Sequence, residues 1–345
     1  MNRKLRVGIA GYGVVGKRRR HFIDLHPDLE TVAVCDRSLD GDGTFEDGLS
    51  YHTHYKTLLE EDLDVLFVCL TNDVNPDATI AGLEKGLHVF CEKPPGRDVA
   101  DIRRVIDCER ARPELKLKYG FNHRYHDSVR AALSIMRSGE LGKVINIRGV
   151  YGKSKIISYG QPSSWRTERA VAGGGILLDQ GIHMVDLIRL FGGEFTDIHS
   201  FVSNDFWNFD VEDNAYALMQ SDAGVVAMLH STATQWRHRF NLDIALEKGG
   251  LTLSGILSGS KSYGAEKLII TRSAEDDMGD PDEQVRNYEH DPSWSGEIDD
   301  FAAAISEGRA IVDGSSADAL ETMKLVYRIY CADPDWKKRW GLTPD

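Results

Sequence analysis

Cysteine is scarce in this chain: 345 residues carry five, Cys35, Cys69, Cys91, Cys108 and Cys331, widely spaced and with no C-x-x-C pair. An odd number at such spacing excludes a disulfide framework and points to reduced thiols in a cytoplasmic protein. Long apolar runs are also missing. None approaches the ~20 residues of a membrane span, so no membrane partner is expected. The opening Met-Asn-Arg-Lys-Leu-Arg-Val runs straight into a strand pattern and leaves no room for a signal peptide. Positive charge is in deficit, with 41 Lys and Arg against 54 Asp and Glu, a net charge of −13. That balance argues against nucleic acid as a partner and leaves room for a local basic pocket facing a small anion. No internal repeat and no low-complexity segment interrupts the chain.

What is present is the composition of a globular protein, 41% hydrophobic and 28% charged. The length exceeds one ordinary core, so two domains are expected. Residues 5–10 form a short apolar run, followed by Gly11-Tyr12-Gly13-Val14-Val15-Gly16, a helix pattern to about His26, and a second strand at 31–35 that ends at Asp36. This is a βαβ unit with G-x-G-x-x-G at its first turn. The glycines serve a tight turn, close approach to a pyrophosphate, and helix–strand packing. The helix N-terminus offers N–H groups to the phosphates. Asp36 accepts from the ribose hydroxyls and repels a 2′-phosphate, which favours NAD. Arg37 beside it could take a 2′-phosphate, so NADP stays open.

Alternation continues with strands expected at 64–70, 87–91 and 115–121 and helices at 75–85 and 99–110. Such a pattern makes a doubly wound parallel sheet with ligands beyond the carboxyl ends of its strands. Asp36, Thr71, Asn72 and Glu92-Lys93-Pro94 all fall there. After Phe121 the rhythm changes. A helix at about 128–138 and a strand at 143–151 precede a loop of some twenty residues. Strands then follow at 196–202, 214–219, 225–233, 241–247 and 251–257, with an exposed acidic loop at 273–282 and closing helices at 297–306 and 316–330. The expected boundaries are a Rossmann domain at 1–122 and an α+β domain with a large, mainly antiparallel sheet at 123–345, whose last helices are free to pack back on the first.

Two stretches carry chemistry. Residues 173–187 place three glycines before an apolar, helix-like run holding Asp179, His183 and Asp186, which regular helix geometry would put on one face. Ionisable groups on an apolar helix are costly to bury. Taken alone, the stretch fits a capped core helix with one satisfied histidine equally well. Lys93 can reach both the nicotinamide side and a substrate hydroxyl, where its charge would lower the cost of an alkoxide, or it can be a lysine in a surface turn.

G-x-G-x-x-G at 11–16, Glu92-Lys93-Pro94, and Gly173-Gly174-Gly175-Ile-Leu-Leu-Asp179-Gln-Gly-Ile-His183-Met-Val-Asp186 occur in one order and spacing. Together they resemble the glucose–fructose oxidoreductase / inositol dehydrogenase / rhizopine catabolism (Gfo/Idh/MocA) family over nearly the whole chain. The resemblance implies a Rossmann domain, a second domain with an open-faced sheet that often joins dimers or tetramers, and a cis Lys93–Pro94 bond. It implies that Lys93, Asp179 and His183 surround the hydroxyl being oxidised. His183 would be general base or acid, Lys93 would stabilise the alkoxide-like oxygen, and Asp179 would position substrate and tune His183. Asp186 then supports from behind. Asn75 stands where the family often has histidine, and the loop lacks the usual proline.

Substrate contacts are sought in Arg124 and Tyr125, Trp165 and Arg166, and Trp236, with Lys153, Lys155, Arg169, Arg237 and His238 adding positive charge. Arginine suits carboxylate or phosphate, and aromatic faces suit sugar rings. The expected function is NAD(P)-dependent oxidation of a secondary alcohol on a sugar or cyclitol, the sugar being anionic (nucleotide-linked or phosphorylated). The alternatives are a glycosidase in which bound NAD oxidises C3 transiently, and a non-catalytic sensor. Spacing alone would allow a metal at Asp179 and His183, but no further His or Cys cluster supports one.

Overall fold

In chain order the elements are β1 (Leu5–Ala10), α1 (Val14–Leu25), β2 (Leu29–Cys35), β3 (Gly43–Thr44), β4 (Ser50–His52), α2 (Tyr55–Leu58), β5 (Val65–Val68), α3 (Asn75–Glu84), β6 (His88–Cys91), α4 (Val99–Arg110), β7 (Leu117–Tyr119), α5 (Asp127–Ser138), β8 (Val144–Gly152), α6 (Arg169–Ala172), α7 (Ile182–Gly192), β9 (Phe195–Ser203), β10 (Asn214–Ser221), β11 (Val226–Thr232), β12 (Arg239–Leu246), β13 (Gly249–Ser254), β14 (Glu266–Arg272), β15 (Glu283–Tyr288), α8 (Ser293–Ser306), α9 (Ser316–Ala332) and α10 (Pro334–Trp340). This computed structural model describes residues 3–156, 164–259, 261–274 and 279–344. Parts of the loop before residue 173 and of the acidic loop at 273–282 lie outside the described residues. The chain divides into two units, Met1–Asn122 with Trp294–Glu321, and His123–Ser293 with Thr322–Asp345.

The first unit is built on a seven-stranded sheet in the order β3-β4-β2-β1-β5-β6-β7, parallel except for the β3–β4 pair. Its central strands are apolar on both faces, as burial between helices requires. Val7, Ile9, Val34, Val65, Phe67 and Phe90 pack with Ile298 and Phe301 of α8 into one core. Each fully buried side chain of this kind contributes roughly 1.5–3 kcal/mol. The glycine turn is explained by its neighbours. Gly11 has φ +95°, and a Cβ there would meet the Cys69 carbonyl oxygen at 2.3 Å. A Cβ on Gly16 would stand 2.0 Å from the Gly11 oxygen, so α1 could not start where it does.

One interaction joins three distant segments of this unit. Arg19 on α1 is fully buried. Its guanidinium donates to Glu92 Oε1 at 2.7 Å and to Glu297 Oε2 on α8 at 2.8 Å. The same group stacks 4.4 Å from the rings of Phe90 and Trp294. One cation cannot neutralise two carboxylates in a dry site. Burial therefore pushes the Glu297 carboxyl up to about 7, although Arg19 opposes the shift.

The second unit carries an eight-stranded sheet in the order β15-β14-β13-β12-β8-β11-β10-β9, antiparallel except for β8 beside β11. Strand β10 alternates strictly, with Ala215, Ala217 and Met219 inward and Tyr216, Leu218 and Gln220 outward. Helix α7 lies over the inner face, and the absence of a side chain at Gly149 of β8 admits Met184 and Ile188. The helical stretch 169–192 is long and apolar enough to cross a membrane, which corrects the expectation that no run comes near that length. Its apolar side chains serve the core instead, since 94% of its most apolar 18-residue window is buried. Strands β14 and β15 and helix α10 were not anticipated. Polar residues dominate β15 and exposure runs along it, so its sequence has no buried face to betray a strand.

The Arg19 cluster predicts a pH dependence. A folded pKa near 7 against an ordinary 4.5 means that the Glu297 contribution is fully present below pH 4.5 and is lost as pH rises through 7. Thermal melts of the wild type and Glu297→Gln should nearly coincide at pH 5. By pH 8 the variant should gain on the order of 3 kcal/mol relative to the wild type. A stability gap that does not change with pH would refute the assignment.

Candidate active site

In the first unit, the N–H groups of Gly11 and Tyr12 both donate to the Cys35 carbonyl at 2.9 Å, which pins the glycine turn to the end of β2. Helix α1 starts at Val14 with no side-chain cap, and Gly13 and Val14 are exposed. Its first N–H groups therefore face outward, as a phosphate requires. Val15 is half-buried, and the Tyr12 hydroxyl accepts from Arg20 at 2.8 Å. Asp36 Oδ1 is held by the N–H and hydroxyl of Ser38, at 2.9 and 2.7 Å. The other oxygen, Oδ2, lies 4.0 Å from where a Gly13 Cβ would be. Arg37 is exposed beside it. An open glycine, an uncapped helix start and an oriented carboxylate at one strand end fit a dinucleotide.

The 71–75 loop departs from the family pattern for a visible reason. Asn75 is buried, and its side-chain oxygen accepts from the Leu70 N–H at 3.1 Å, while the Thr71 carbonyl takes the N–H groups of Val74 and Asn75. Asparagine thus braces the loop that presents buried Asn72. Glu92 is occupied by Arg19, so its carboxylate anchors the segment rather than facing outward. The Lys93–Pro94 bond is cis, and Lys93 is half-buried.

In the second unit, the stretch 173–187 is not one regular helix. Leu177–Gly181 winds as a π-turn and α7 follows. Such wide turns recur at functional sites because they re-aim side chains. The start of this segment depends on Glu212, which is fully buried. Its carboxylate accepts from the N–H of Gly175 at 2.7 Å, from the N–H of Leu177 at 3.0 Å and from the Tyr330 hydroxyl at 2.6 Å. Its carbonyl takes the Ile176 N–H at 3.0 Å. A Cβ on Gly175 would lie 2.1 Å from that carbonyl oxygen, so only glycine allows the approach. Burial raises the Glu212 carboxyl, opposed by Arg169 and the Tyr330 hydroxyl.

The expected single polar stripe separates into two clusters. Asp179, on the π-turn, accepts from Arg166 Nε at 3.2 Å and lies 3.9 Å from the buried Lys153 ammonium. His183 stacks on His123 with ring centres 3.8 Å apart and planes 9° from parallel. His123 Nε2 meets the Tyr151 hydroxyl at 3.0 Å. Tyr151 contacts Tyr263, whose hydroxyl accepts from Gln180 at 2.7 Å and is pushed up to about 12 by burial. Asp186 points elsewhere. It takes Arg124 through two bonds of 2.8 and 2.6 Å and the Thr322 hydroxyl at 3.3 Å.

Arg124 is therefore committed to Asp186. Tyr125 is buried, with the Arg130 guanidinium 4.6 Å over its ring. Arg166 stacks 4.2 Å over Trp165 while it holds Asp179. Trp236 is 67% exposed, edge-on to Phe206. Glu212, His123, Tyr151 and Tyr263 were not among the residues expected at the site. Nothing local marks Glu212, since its meaning comes from a helix start that lies 37 residues earlier. Among the described residues no group of three His, Cys, Asp or Glu is arranged to hold a metal ion.

A family model described as the oxidoreductase family, NAD-binding Rossmann fold, matches residues 5–121, and one described as the GFO/IDH/MocA C-terminal domain matches residues 129–252. Levoglucosan dehydrogenase of Pseudarthrobacter phenanthrenivorans is 26% identical over 211 residues. That match covers 58% of this chain and 54% of the enzyme, so the chain spans about half the length of this relative. D-glucoside 3-dehydrogenase of Escherichia coli is 28% identical over 299 residues, 79% of this chain and 84% of that one. The solved structure of levoglucosan dehydrogenase in complex with NADH has the same fold, with a TM-score of 0.82 at 20% identity over 97% of this chain and 98% of that one.

Replacing Glu212 by glutamine puts an amide N–H₂ against N–H donors. We expect a loss of about 2–4 kcal/mol in urea unfolding, while Tyr330→Phe loses about 1 kcal/mol. A Glu212→Gln variant as stable as the wild type would show that this carboxylate does not hold the helix start.

Proposed function

The chain belongs to the GFO/IDH/MocA family of NAD-binding oxidoreductases, and from that premise we propose that it oxidises a secondary alcohol of a sugar or cyclitol, reversibly, with Lys93, Asp179 and His183 at the reacting hydroxyl. One observation carries the reading. Two ionisable side chains, Asp179 and His183, sit buried four residues apart on a π-turn and the helix it opens, and each is held by named partners. A core helix needs neither group, and burying both without use is costly.

Bound nicotinamide supplies the hydride acceptor or donor. His183 takes the hydroxyl proton, since an imidazole titrates near neutral pH. Its stacked partner His123, itself tied to Tyr151, fixes the plane of the ring. Lys93 offsets the negative charge that grows on the oxygen. Asp179 orients a neighbouring hydroxyl, and Arg166 and Lys153 keep its carboxylate in place. Asp36 directs the choice toward NAD, with Arg37 the residue that would admit NADP.

Relatives named levoglucosan dehydrogenase and D-glucoside 3-dehydrogenase support a sugar substrate. We extend this to an anionic sugar. Exposed Arg237 and Arg239, in a chain of net charge −13, support that extension. A panel of sugars, sugar phosphates and nucleotide sugars, offered with NAD and NADP and read at the nicotinamide absorbance, tests the reading. NADH should accumulate with one substrate class. Turnover without NADH accumulation would instead favour the redox-neutral glycosidase. His183→Ala and Lys93→Ala should lower kcat by at least about 10²-fold with NAD affinity retained. Full turnover in either variant would overturn the mechanism.

We also propose that copies associate through the outer face of the second sheet, as a dimer or tetramer. Phe201 is 79% exposed there, with Tyr216, Leu218 and Met228 exposed on the neighbouring strands. A contiguous apolar patch of this kind is unusual on a free surface. Phe201→Asp combined with Leu218→Asp should shift the sedimentation coefficient to that of a monomer. An unchanged assembly would rule out this face.

A further inference from the structure

The second unit holds a cavity of about 350 Å³ that none of the roles above uses. Its lining includes Arg237, Arg239, Asn241 and Ser254, with Phe240 and Tyr263 as its apolar walls, and contains no carboxylate. The other positive groups of this region are already committed. Arg124 is bound to Asp186, Arg166 and Lys153 lie against Asp179, and the Arg169 guanidinium donates to the carbonyls of Asp210 and Gly173 and lies 3.8 Å from Glu212. The guanidinium groups of Arg237 and Arg239, by contrast, are exposed and meet no hydrogen-bond or ion-pair partner among the described residues. The nearest acid along β12, Asp243, is engaged by Asn241 and Thr252 at 2.8 Å each.

His238 lies between the two arginines in sequence and reports the local field. Its ring nitrogens meet Ser154 at 3.2 Å and Ser262 at 2.8 Å. Burial, then Lys153 and Arg237, hold its pKa below the ordinary histidine value. Arg237 and Arg239 place positive charge at the cavity mouth. The cavity also adjoins the candidate active site. Its wall residue Tyr263 receives Gln180, the neighbour of Asp179, and three ring contacts of 5.3, 5.5 and 3.8 Å lead from Tyr263 through Tyr151 and His123 to His183.

We propose that this cavity is a subsite for an anionic group, a phosphate or carboxylate, carried by the substrate at some distance from the hydroxyl that is oxidised. Two solvent-exposed guanidinium forks with unused donors match the oxygens of either anion, and at an exposed site that attraction is screened by salt. The proposal rests on the dehydrogenase reading for the sugar that bears the anion, but not for the binding of the anion itself.

Two measurements test it on the full-length chain. The first is calorimetric titration with inorganic phosphate at constant ionic strength, with chloride as the reference. Wild type should bind phosphate. Arg237→Gln with Arg239→Gln should weaken it about tenfold or more, while the matching pair of lysine substitutions should keep most of the affinity. The second compares KM for a hexose phosphate and a hexuronate with KM for the parent hexose. The glutamine pair should raise KM for whichever anionic form is preferred and leave the neutral hexose unchanged. No phosphate binding by the wild type, or equal binding by the glutamine pair, would overturn the subsite. So would a changed sedimentation coefficient with phosphate affinity intact, which would assign the arginines to an interface between copies. If no sugar reduces NAD, the dehydrogenase reading fails, while the phosphate titration still decides the subsite.

Discussion

A buried guanidinium between two carboxylates organises the nucleotide-binding unit. Arg19 follows the glycine turn by three residues, Glu92 precedes Lys93, and Glu297 belongs to a helix two hundred residues later. The ion-pair geometry has to be good because desolvating a guanidinium is expensive, and without both carboxylates its charge would be left uncompensated. Phe90 and Trp294 each pack 4.4 Å from the guanidinium, and the full burial of Arg19 excludes water and strengthens the attraction. The consequence reaches Lys93. Its chain neighbour is clamped by the same group that packs the start of α1, so the lysine-bearing turn and the phosphate-facing helix start share one support.

The second unit applies the same physics to a helix end. Orphan N–H groups at the start of a helix need acceptors, and buried ones need acceptors from the protein. Glu212 supplies both carboxylate oxygens and its carbonyl to three successive residues of that start. The glycine triplet is the trace this contact leaves in the sequence, because any side chain at Gly175 would collide with the Glu212 backbone. With its origin fixed, the segment can widen into a π-turn and turn Asp179 toward Arg166 and Lys153, while the following α-helix aims His183 at His123 and Asp186 at Arg124. Polar groups inside an apolar element are tolerated here because nearly every one has a partner.

That economy also narrows what the site can recognise. Several arginines that look in sequence like ligands for an anion are spent internally, each on a carboxylate of its own unit. Arginines whose guanidinium groups meet no carboxylate are the informative ones, and exposed Arg237 and Arg239 line one cavity together. Charge composition alone cannot make this distinction. A chain of net charge −13 can still hold a positive pocket, since screening confines each charge to its surroundings over about 8–10 Å.

Local features were legible in the residues alone: the βαβ unit with its glycine turn, the run of buried strands, the alternation of β10, and the spacing of Glu92-Lys93-Pro94 and of Asp179 with His183. These follow from backbone sterics and hydrophobic period, which act over a few residues. The choice of partners came from the folded chain. Arg124 goes to Asp186, Asn75 braces a backbone rather than a ligand, and Glu212 caps a helix far from it in the chain. The π-turn likewise has no sequence period of its own, because it arises where a cap and a packed helix must both be satisfied. Pairings between distant residues depend on which faces the fold brings together, and no local propensity encodes that.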